Sequence, residues 1–284
     1  MFNIFLPILF LLTSMELNDP VDFKVMTFNI RYGTANDGAN SWDNRKKIVF
    51  DMLGKYDCDI VGLQEAMNFQ IEELLEALPV YDKTGRSGEI DPYEGEACPI
   101  LYNKEKWELI DTRTIWLSET PFKAGSKSWG AAQPRICSIG IFRNKLNGQG
   151  IYVYNTRFDN LSAEARERSS ILLEKYIMDN TTHEFLVIMG DFNSRETENP
   201  IISLLDNQVL NLSDVYRKQH KEISDADATF YGWGPHTAGS GSRVDYIFTS
   251  KNFSIKNSEI IDFQIDGYYP SDHCPVMAEL EVPR

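Results

Sequence analysis

Two polar residues at the end of an apolar run have the chemistry to bind a cation or a phosphate. Residues 186–189 are apolar, Gly190 follows them, and Asp191 and Asn193 come next. The run predicts a strand buried on both faces, and the glycine permits a sharp turn where the strand ends. A carboxylate and an amide two residues apart point to the same side of an extended segment, which suits a hydrated cation or a phosphate oxygen. A turn that only ends the strand is the structural alternative.

Two more polar residues are predicted at strand ends. Glu65 follows a second buried strand at residues 58–63, so its carboxylate should lie at the same edge as Asp191. A glutamate that caps a helix beginning at residue 66 is the alternative. Asn29 lies in a first core strand at residues 23–30, and a buried amide there must find partners. It is either a structural hydrogen bonder or a group that faces a ligand.

The C-terminal part of the chain supplies an acid–base set. Asp245 lies inside a predicted strand, where a buried carboxylate needs a charge partner. Asp272 and His273 directly precede the last predicted strand, residues 276–280. A histidine beside one aspartate, with a second buried aspartate to bond its other ring nitrogen, is held ready for proton transfer. Oxygen ligands with a single histidine favour Mg²⁺ or Mn²⁺ over zinc.

These side chains must be positioned by a fold that has more than one sheet. Strand patterns alternate with helical patterns at residues 45–55, 66–78, 163–178 and 200–210, and Asn147-Gly148 predicts a hairpin. The strands are too numerous for a simple series of parallel strands, so two packed sheets with outer helices fit better. Residues 118–133 predict a surface loop that borders the site.

Length and charge bound the function. The 284 residues carry no linker-like segment, which predicts a single domain over residues 22–284. The net charge of −14 makes long nucleic acid a less expected substrate, because phosphate neutralisation needs a basic face unless the cleft is locally basic or metal-loaded. Nothing in the sequence implies a stable protein partner, so we expect a monomer.

The N-terminus predicts export. Residues 2–12 are apolar apart from Asn3, which is the length of a signal-peptide core, so residues 1–15 are expected to be a signal peptide or a short apolar leader. A short membrane anchor or a buried first strand is the alternative. The four cysteines are widely spaced, which argues against zinc; in an exported protein they could form one or two disulfides.

In combination, the motifs resemble those of the endonuclease/exonuclease/phosphatase superfamily, in the family's order from residue 23 to residue 280. The matching motifs are Thr-Phe-Asn29, Leu-Gln-Glu65, Gly-Asp191-Phe-Asn193, Arg-Val-Asp245-Tyr and Ser-Asp272-His273. The resemblance is strongest to exported bacterial members of uncharacterised substrate. It implies an α/β fold of the DNase I-like type, a four-layer sandwich of two packed, mainly antiparallel sheets flanked by helices. It also implies metal-dependent hydrolysis of a phosphoester.

The resemblance further implies a role for each metal-site residue. Glu65 would be the main ligand of Mg²⁺ or Mn²⁺, with Asn29 beside it, and Asp272 would complete the metal site.

The same resemblance implies the catalytic roles. Asp191 would orient or deprotonate the attacking water, and Asn193 would hold a phosphoryl oxygen. His273 would donate to the phosphate or polarise it, oriented by Asp245.

One motif departs from the family. The family's middle strand reads Asn-Thr-His-x-Asp-His, whereas residues 155–160 here read Asn-Thr-Arg-Phe-Asp-Asn. Asn155 and Arg157 are therefore counted with the catalytic residues. A guanidinium binds phosphate well but does not shuttle a proton near neutral pH. The alternative is that Arg157 is structural, paired to Asp159 and facing away from the cleft.

Three functions remain open on the sequence. The first is a hydrolase of a small, sugar or lipid phosphoester, and the acidic charge favours it. The second is a 3'-5' exoribonuclease or other nuclease, because Tyr231 and Trp233 could stack a base unless they only pack within the protein. The third is a non-catalytic relative that binds a phospholigand.

Overall fold

Two six-stranded sheets form the centre of the molecule. The computed structural model describes residues 20–181 and 185–282. The first sheet has the order β11-β12-β1-β2-β4-β3, with strands numbered along the chain. Its strands are β1 (Val21–Asn29), β2 (Ile60–Gln64), β3 (Tyr81–Thr84), β4 (Ile100–Asn103), β11 (Ser254–Ile260) and β12 (Val276–Val282).

The second sheet has the order β5-β6-β7-β8-β10-β9. Its strands are β5 (Trp107–Trp116), β6 (Ile136–Asn144), β7 (Gly150–Arg157), β8 (Leu186–Asp191), β9 (Leu212–Asp214) and β10 (Asp245–Ser250). The helices are α1 (Trp42–Tyr56), α2 (Asn68–Ala77), α3 (Ala163–Asn180), α4 (Asn199–Asp206) and α5 (Val215–Gln219), with a 3₁₀ turn at Gly38–Asn40.

Each sheet contains one parallel strand pair among antiparallel ones. In the first sheet β1 and β2 are parallel, with Asn29 opposite Gln64. In the second sheet β7 and β8 are parallel, with Arg157 opposite Asp191. Parallel neighbours need a crossover, which α1 provides for the first pair and α3 for the second. The carboxyl ends of these pairs therefore carry the polar motifs.

The strands bury both faces, which produces four layers. In β8, Val187 and Met189 pack between the two sheets, whereas Leu186 and Ile188 pack towards the outer helix α3. In β1, Val25 faces the other sheet. This alternation is what a strand of apolar residues requires between two covering layers. The predicted α/β sandwich of two packed, mainly antiparallel sheets flanked by helices is confirmed.

Several element bounds differ from the predicted ones. The helix predicted over residues 200–210 ends at Asp206, because Asn207 accepts hydrogen bonds from the backbone N–H groups of Val209 and Leu210 and starts a turn. The strand predicted over residues 58–63 spans Ile60–Gln64. The sequence reasoning missed β3, β9, β11 and α5. The edge strand β11 has exposed polar residues at its centre, so its apolar alternation is weak.

The cysteines and the N-terminus bear on the predicted export. All four cysteines are free and buried, so the structure has none of the disulfides that export would permit. Among the described helices, none is both long enough and apolar enough to cross a membrane. The predicted leader at residues 1–15 lies outside the described residues, and its export function stays a prediction.

Candidate active site

The site forms where the ends of the two parallel pairs meet. Asn29 ends β1, and Glu65 directly follows β2. Asp191 ends β8, and Asp245 lies opposite it at the start of β10. His273 precedes β12, which pairs antiparallel with β1 and so brings the histidine beside Asn29. All five side chains are buried.

Asn29 lies at the centre of this group. Its Nδ2 donates to Glu65 Oε1 and to Asp191 Oδ2, each at 3.0 Å, and lies 3.3 Å from His273 Nε2. Its Oδ1 accepts from the backbone N–H of Arg31 at 3.0 Å. Ligand atoms of Glu65, Asp191 and His273 all lie within 4.8 Å of one another. We call Asn29, Glu65, Asp191 and His273 the catalytic cluster.

Glu65 is held in an unusual conformation. Its φ of 57° lies in the left-handed region, which costs a non-glycine residue free energy and is often found at functional sites. Its Oε2 accepts from the backbone N–H of Tyr32 at 3.2 Å. Burial would raise the pKa of Glu65, but the charge of Arg157 and the hydrogen bond from Asn29 outweigh burial and lower the pKa. The residue is therefore a carboxylate at neutral pH.

His273 and Asp245 form a buried acid–base pair. His273 Nδ1 lies 2.9 Å from Asp245 Oδ2. Burial alone would lower the pKa of His273, but the Asp245 carboxylate, together with Asp191 and Asp272, raises it to about 10. The raised pKa favours the protonated ring, and Nε2 is the ring nitrogen that faces Asn29.

The turn after β8 depends on a glycine. Gly190 has φ +155°, and an added Cβ would lie 2.0 Å from the carbonyl oxygen of Thr156. Asn193 donates from its backbone N–H to Asp191 Oδ1 at 3.0 Å, and its Nδ2 donates to Phe158 O at 3.0 Å. Asp191 takes part in this turn and also contacts Asn29, so its role in the turn does not exclude a role in the chemistry.

Arg157 extends into the catalytic cluster. Its Nη2 donates to Glu65 Oε1 at 2.5 Å, its Nε lies 3.4 Å from Asp191 Oδ2, and its Nη1 donates to Glu96. Burial would lower the pKa of Arg157, but these three carboxylates raise it. Asp159 instead pairs with Arg135, at 3.0 Å. The structure therefore rejects the alternative in which Arg157 pairs with Asp159 and faces away.

Asp272 and Asn155, two of the predicted site residues, have their hydrogen-bond partners outside the catalytic cluster. Asp272 accepts from Ser271 Oγ at 3.2 Å and lies 3.8 Å from Arg31 Nε. Burial raises the pKa of Asp272, and the nearby Glu65 charge raises it further.

Asn155 connects to the first sheet through both atoms of its amide. Its Oδ1 accepts from Gln64 at 2.6 Å, and its Nδ2 donates to the Leu63 and Pro99 carbonyls at 2.8 Å. Asn155 thus joins the two sheets beneath the site.

Two structural partners were missed as site residues. Glu96, a partly buried carboxylate, binds Arg157, and no local pattern predicts that long-range pair.

Arg45 is buried in α1 and donates to the backbone carbonyls of Ile30 at 2.7 Å and Pro270 at 2.9 Å. It joins the loop after β1 to the segment before Asp272. An arginine within the apolar face of a predicted helix is the signal that could have identified it.

A cleft of about 520 Å³ adjoins the catalytic cluster through Arg157 and Glu96. Arg31 and Arg135 also line it. The carboxylates of Glu89 and Glu96 line the same cleft, and each of its three guanidinium groups also pairs with a carboxylate. The guanidinium groups suit a small anion such as a phosphate, and the volume of the cleft lies in the range of small-molecule sites.

The two aromatic residues considered for base stacking pack within the protein. Tyr231 stacks on His236 with ring centroids 4.1 Å apart. The guanidinium carbon of Arg45 lies 5.7 Å from the ring centroid of Trp233. The structure therefore favours the packing alternative for both. Phe230, by contrast, is 39% exposed and lies 4.7 Å from the His273 ring.

Comparison with known proteins identifies one family. The model of the endonuclease/exonuclease/phosphatase family matches residues 26–273. A solved endonuclease/exonuclease/phosphatase from Bacteroides vulgatus is 32% identical with a TM-score of 0.85, over 92% of this chain and 99% of that one. A mannosyl-6-phosphatase from Bacteroides thetaiotaomicron is 30% identical with a TM-score of 0.81, over 91% and 99%.

The curated relatives are more distant. An uncharacterized protein of Acanthamoeba polyphaga mimivirus is 27% identical, over 91% of this chain and all of that protein. The CCR4-Not complex 3'-5'-exoribonuclease subunit Ccr4 of Mycosarcoma maydis is 24% identical over 92% of this chain. This chain spans only about half, 51%, of the length of that exoribonuclease.

Proposed function

The chain belongs to the endonuclease/exonuclease/phosphatase family, and on this premise we propose that it is a divalent-metal-dependent hydrolase of small, sugar-type phosphoesters. The observation that carries the proposal is the catalytic cluster beside a cleft that is lined by Arg31, Arg135 and Arg157. The acids of the cluster suit a metal and water activation, and the arginines suit a phosphate.

The donor set fits a divalent cation such as Mg²⁺ or Mn²⁺. The carboxylates in and around the cluster outnumber the cationic groups; the carboxylates are Glu65, Glu96, Asp191, Asp245 and Asp272, and the cationic groups are Arg31, Arg157 and His273. Glu65, with Asn29 and Asp272 beside it, would hold the ion. A bound ion would neutralise phosphate charge and lower the pKa of a water molecule.

Asp191 and His273 divide the proton transfers between them. Asp191 lies within hydrogen-bond reach of Asn29 and Asn193, which fix its carboxylate for taking a proton from the attacking water. The raised pKa of His273 favours an imidazolium, which can donate from Nε2 to the phosphate or the leaving group. Asp245 bonds Nδ1 and thereby aims that donor.

Arg157 acts as the phosphate clamp in place of the family's histidine. Its guanidinium lines the cleft and at the same time contacts Glu65 and Asp191. It stays charged throughout, so it binds and orients the phosphate without moving a proton. Proton donation therefore rests on His273.

Four observations support a small, sugar-type substrate. The cleft volume of about 520 Å³ suits a sugar phosphate. The net charge of −14 opposes long polyanions. The relative of known activity at 30% identity is a mannosyl-6-phosphatase. The partly exposed Phe230 beside His273 gives a sugar ring an apolar surface to pack on.

A substrate panel tests the proposal. Mannose 6-phosphate, glucose 6-phosphate, an aryl phosphodiester and oligoadenylate are incubated with the full chain in Mg²⁺, in Mn²⁺ and in EDTA. We expect hydrolysis of a sugar phosphate that EDTA abolishes, loss of activity in Glu65→Gln, and unchanged activity in the exposed control Glu222→Gln. Faster hydrolysis of oligoadenylate would favour the nuclease alternative. Binding of a phosphate ester without turnover would favour the non-catalytic alternative.

A further inference from the structure

A second cluster of metal-binding side chains lies outside the catalytic cluster. It consists of His236, Asp262 and Cys274, whose ligand atoms lie within 4.8 Å of one another. His236 Nδ1 is 3.6 Å from Cys274 Sγ and 2.8 Å from Asp262 Oδ1. The three residues come from three segments: the loop before β10, the turn after β11 and the segment before β12.

The spacing of the three atoms approaches one face of a tetrahedral site. With the usual zinc–nitrogen and zinc–sulfur bond lengths, neighbouring ligand atoms of a tetrahedron lie about 3.3 to 3.6 Å apart. The separation of Sγ and Nδ1 already has this value, at 3.6 Å. The Asp262 oxygen must retreat slightly, and its side chain is 57% exposed and therefore free to move.

The imidazole is held rigidly for such a role. The ring of His236 lies between the rings of Tyr231, at 4.1 Å, and Tyr269, at 3.8 Å, and is nearly parallel to both. Its side chain is only 6% exposed, and Cys274 is buried. Two of the three ligands therefore lose little conformational freedom when an ion binds.

The contacts exclude a thiol nucleophile relay. In such a relay the acid bonds one ring nitrogen of histidine and the thiol bonds the other. Here both Asp262 and Cys274 approach the same nitrogen, Nδ1 of His236. Convergence of sulfur, nitrogen and oxygen on one point is instead the arrangement of a metal site.

We propose that His236, Asp262 and Cys274 form a second metal site, which takes a zinc-class divalent ion with a solvent molecule as fourth ligand. A thiolate, an imidazole and one carboxylate select a borderline-soft ion such as Zn²⁺ over Mg²⁺. Binding releases the thiol proton to solvent. The wide spacing of the four cysteines along the chain argues against a zinc site built from cysteine pairs, whereas this site uses a single cysteine.

The second site would brace the wall of the active site. The backbone N–H of Cys274 donates to Thr229 O at 2.6 Å, and Thr229 Oγ1 accepts from the backbone N–H of Asp245 at 3.1 Å. Phe230, which contacts the His273 ring, lies in the chain between Thr229 and Tyr231, and Tyr231 stacks on His236. An ion bound at His236 and Cys274 would hold this segment against β12.

Cobalt substitution tests the proposal on the intact chain. The chain is freed of metal with a chelator and titrated with Co²⁺, and the thiolate-to-cobalt charge-transfer absorption is recorded. The catalytic cluster contains no cysteine ligand among the described residues, so this band reports the second site. We expect a band that saturates at one equivalent and that excess Zn²⁺ removes.

Variants locate the site. Cys274→Ser should abolish the band, and Asp262→Asn should weaken Zn²⁺ affinity roughly tenfold or more. Cys98→Ser, which changes a buried cysteine near Arg157, and Glu65→Gln should both keep the band. His236→Gln, with its fold checked by circular dichroism, should lose the band even if Cys274→Ser does not fold. Absence of a band in the parent chain, or its persistence in His236→Gln, would overturn the proposal.

Discussion

Each sheet delivers the end of one parallel strand pair to the site, but the two ends differ in charge. The first sheet presents Asn29 and, directly after Gln64, Glu65. The second sheet presents Arg157 and Asp191 side by side in register. A cation thus accompanies the acid of the second sheet, and the same cation crosses the interface to bind Glu65.

This difference separates the two halves of the chemistry. Arg157 is anchored in the second sheet and lines the cleft with Arg31 and Arg135, so the phosphate should bind on that side. Glu65 lies in a strained backbone conformation, with Asp272 close enough for the two charges to interact, so the metal should bind on the side of the first sheet. Substitutions of single side chains separate the two roles.

The largest effect is expected from the acid of the first sheet. Glu65→Gln keeps the side-chain volume but removes the charge that holds the metal. At a fixed Mg²⁺ concentration, kcat/KM should therefore fall on the order of 10³-fold or more. Steady-state kinetics measure the loss, circular dichroism checks the fold, and Glu222→Gln is the matched control. Normal turnover at limiting Mg²⁺ would show that Glu65 holds no metal.

The acid of the second sheet should come next. Asp191→Asn leaves the hydrogen bonds of the turn largely in place but removes the proton acceptor, so kcat should fall roughly 10²- to 10⁴-fold. Steady-state kinetics measure the loss, and circular dichroism checks the fold. If the rate matches that of the parent chain, Asp191 serves only the turn after β8.

The cation of the second sheet should matter less than either acid. Arg157→Ala removes a charged hydrogen bond to the phosphate, worth about 1.5 to 3 kcal/mol, so kcat/KM should fall roughly 10- to 150-fold. Arg157→His should recover part of that loss, because the family's own residue then follows Asn155 and Thr156. Arg143→Ala, at an exposed arginine of β6, is the control. A change in thermal midpoint with unaltered kinetics would make Arg157 a purely structural residue.

The smallest effect concerns stability against pH. The pKa of His273 is raised from an ordinary 6.5 to about 10 in the folded chain. The pair with Asp245 therefore stabilises the fold fully below the ordinary value, and this contribution is lost as pH rises through about 10. Urea unfolding between about pH 6 and about pH 10 should show a free-energy difference between the parent and His273→Gln that shrinks with rising pH. A constant difference would contradict the charged pair.

The sequence predicts residues that follow long apolar runs well. The run before Gly190 places Asp191 correctly at a strand end, because four apolar residues can only be buried between two layers. The same reasoning holds for Glu65 after β2. It also predicts that Asp245 needs a charge partner, which is His273, although Asp245 begins β10 and does not lie inside it.

Long-range pairing is what the sequence does not reveal. Asn155 carries a family motif, yet its partners are the carbonyls of Leu63 and Pro99 in the other sheet. The contact of Arg157 with Glu96 spans two sheets and has no local signature. Edge strands such as β11 are also missed, because one exposed face leaves too few apolar residues for a clear alternation.

Equilibrium metal binding tests most directly whether the metal and Arg157 compete for Glu65. Isothermal titration of Mg²⁺ or Mn²⁺ into the metal-free chain needs no substrate and separates binding from turnover. We predict that Glu65→Gln weakens the affinity and that Arg157→Ala strengthens it, because the guanidinium no longer occupies Glu65 Oε1. Opposite changes in metal affinity in the two variants would show that the metal and Arg157 compete for Glu65. An affinity that neither variant changes would contradict it and would place the metal elsewhere.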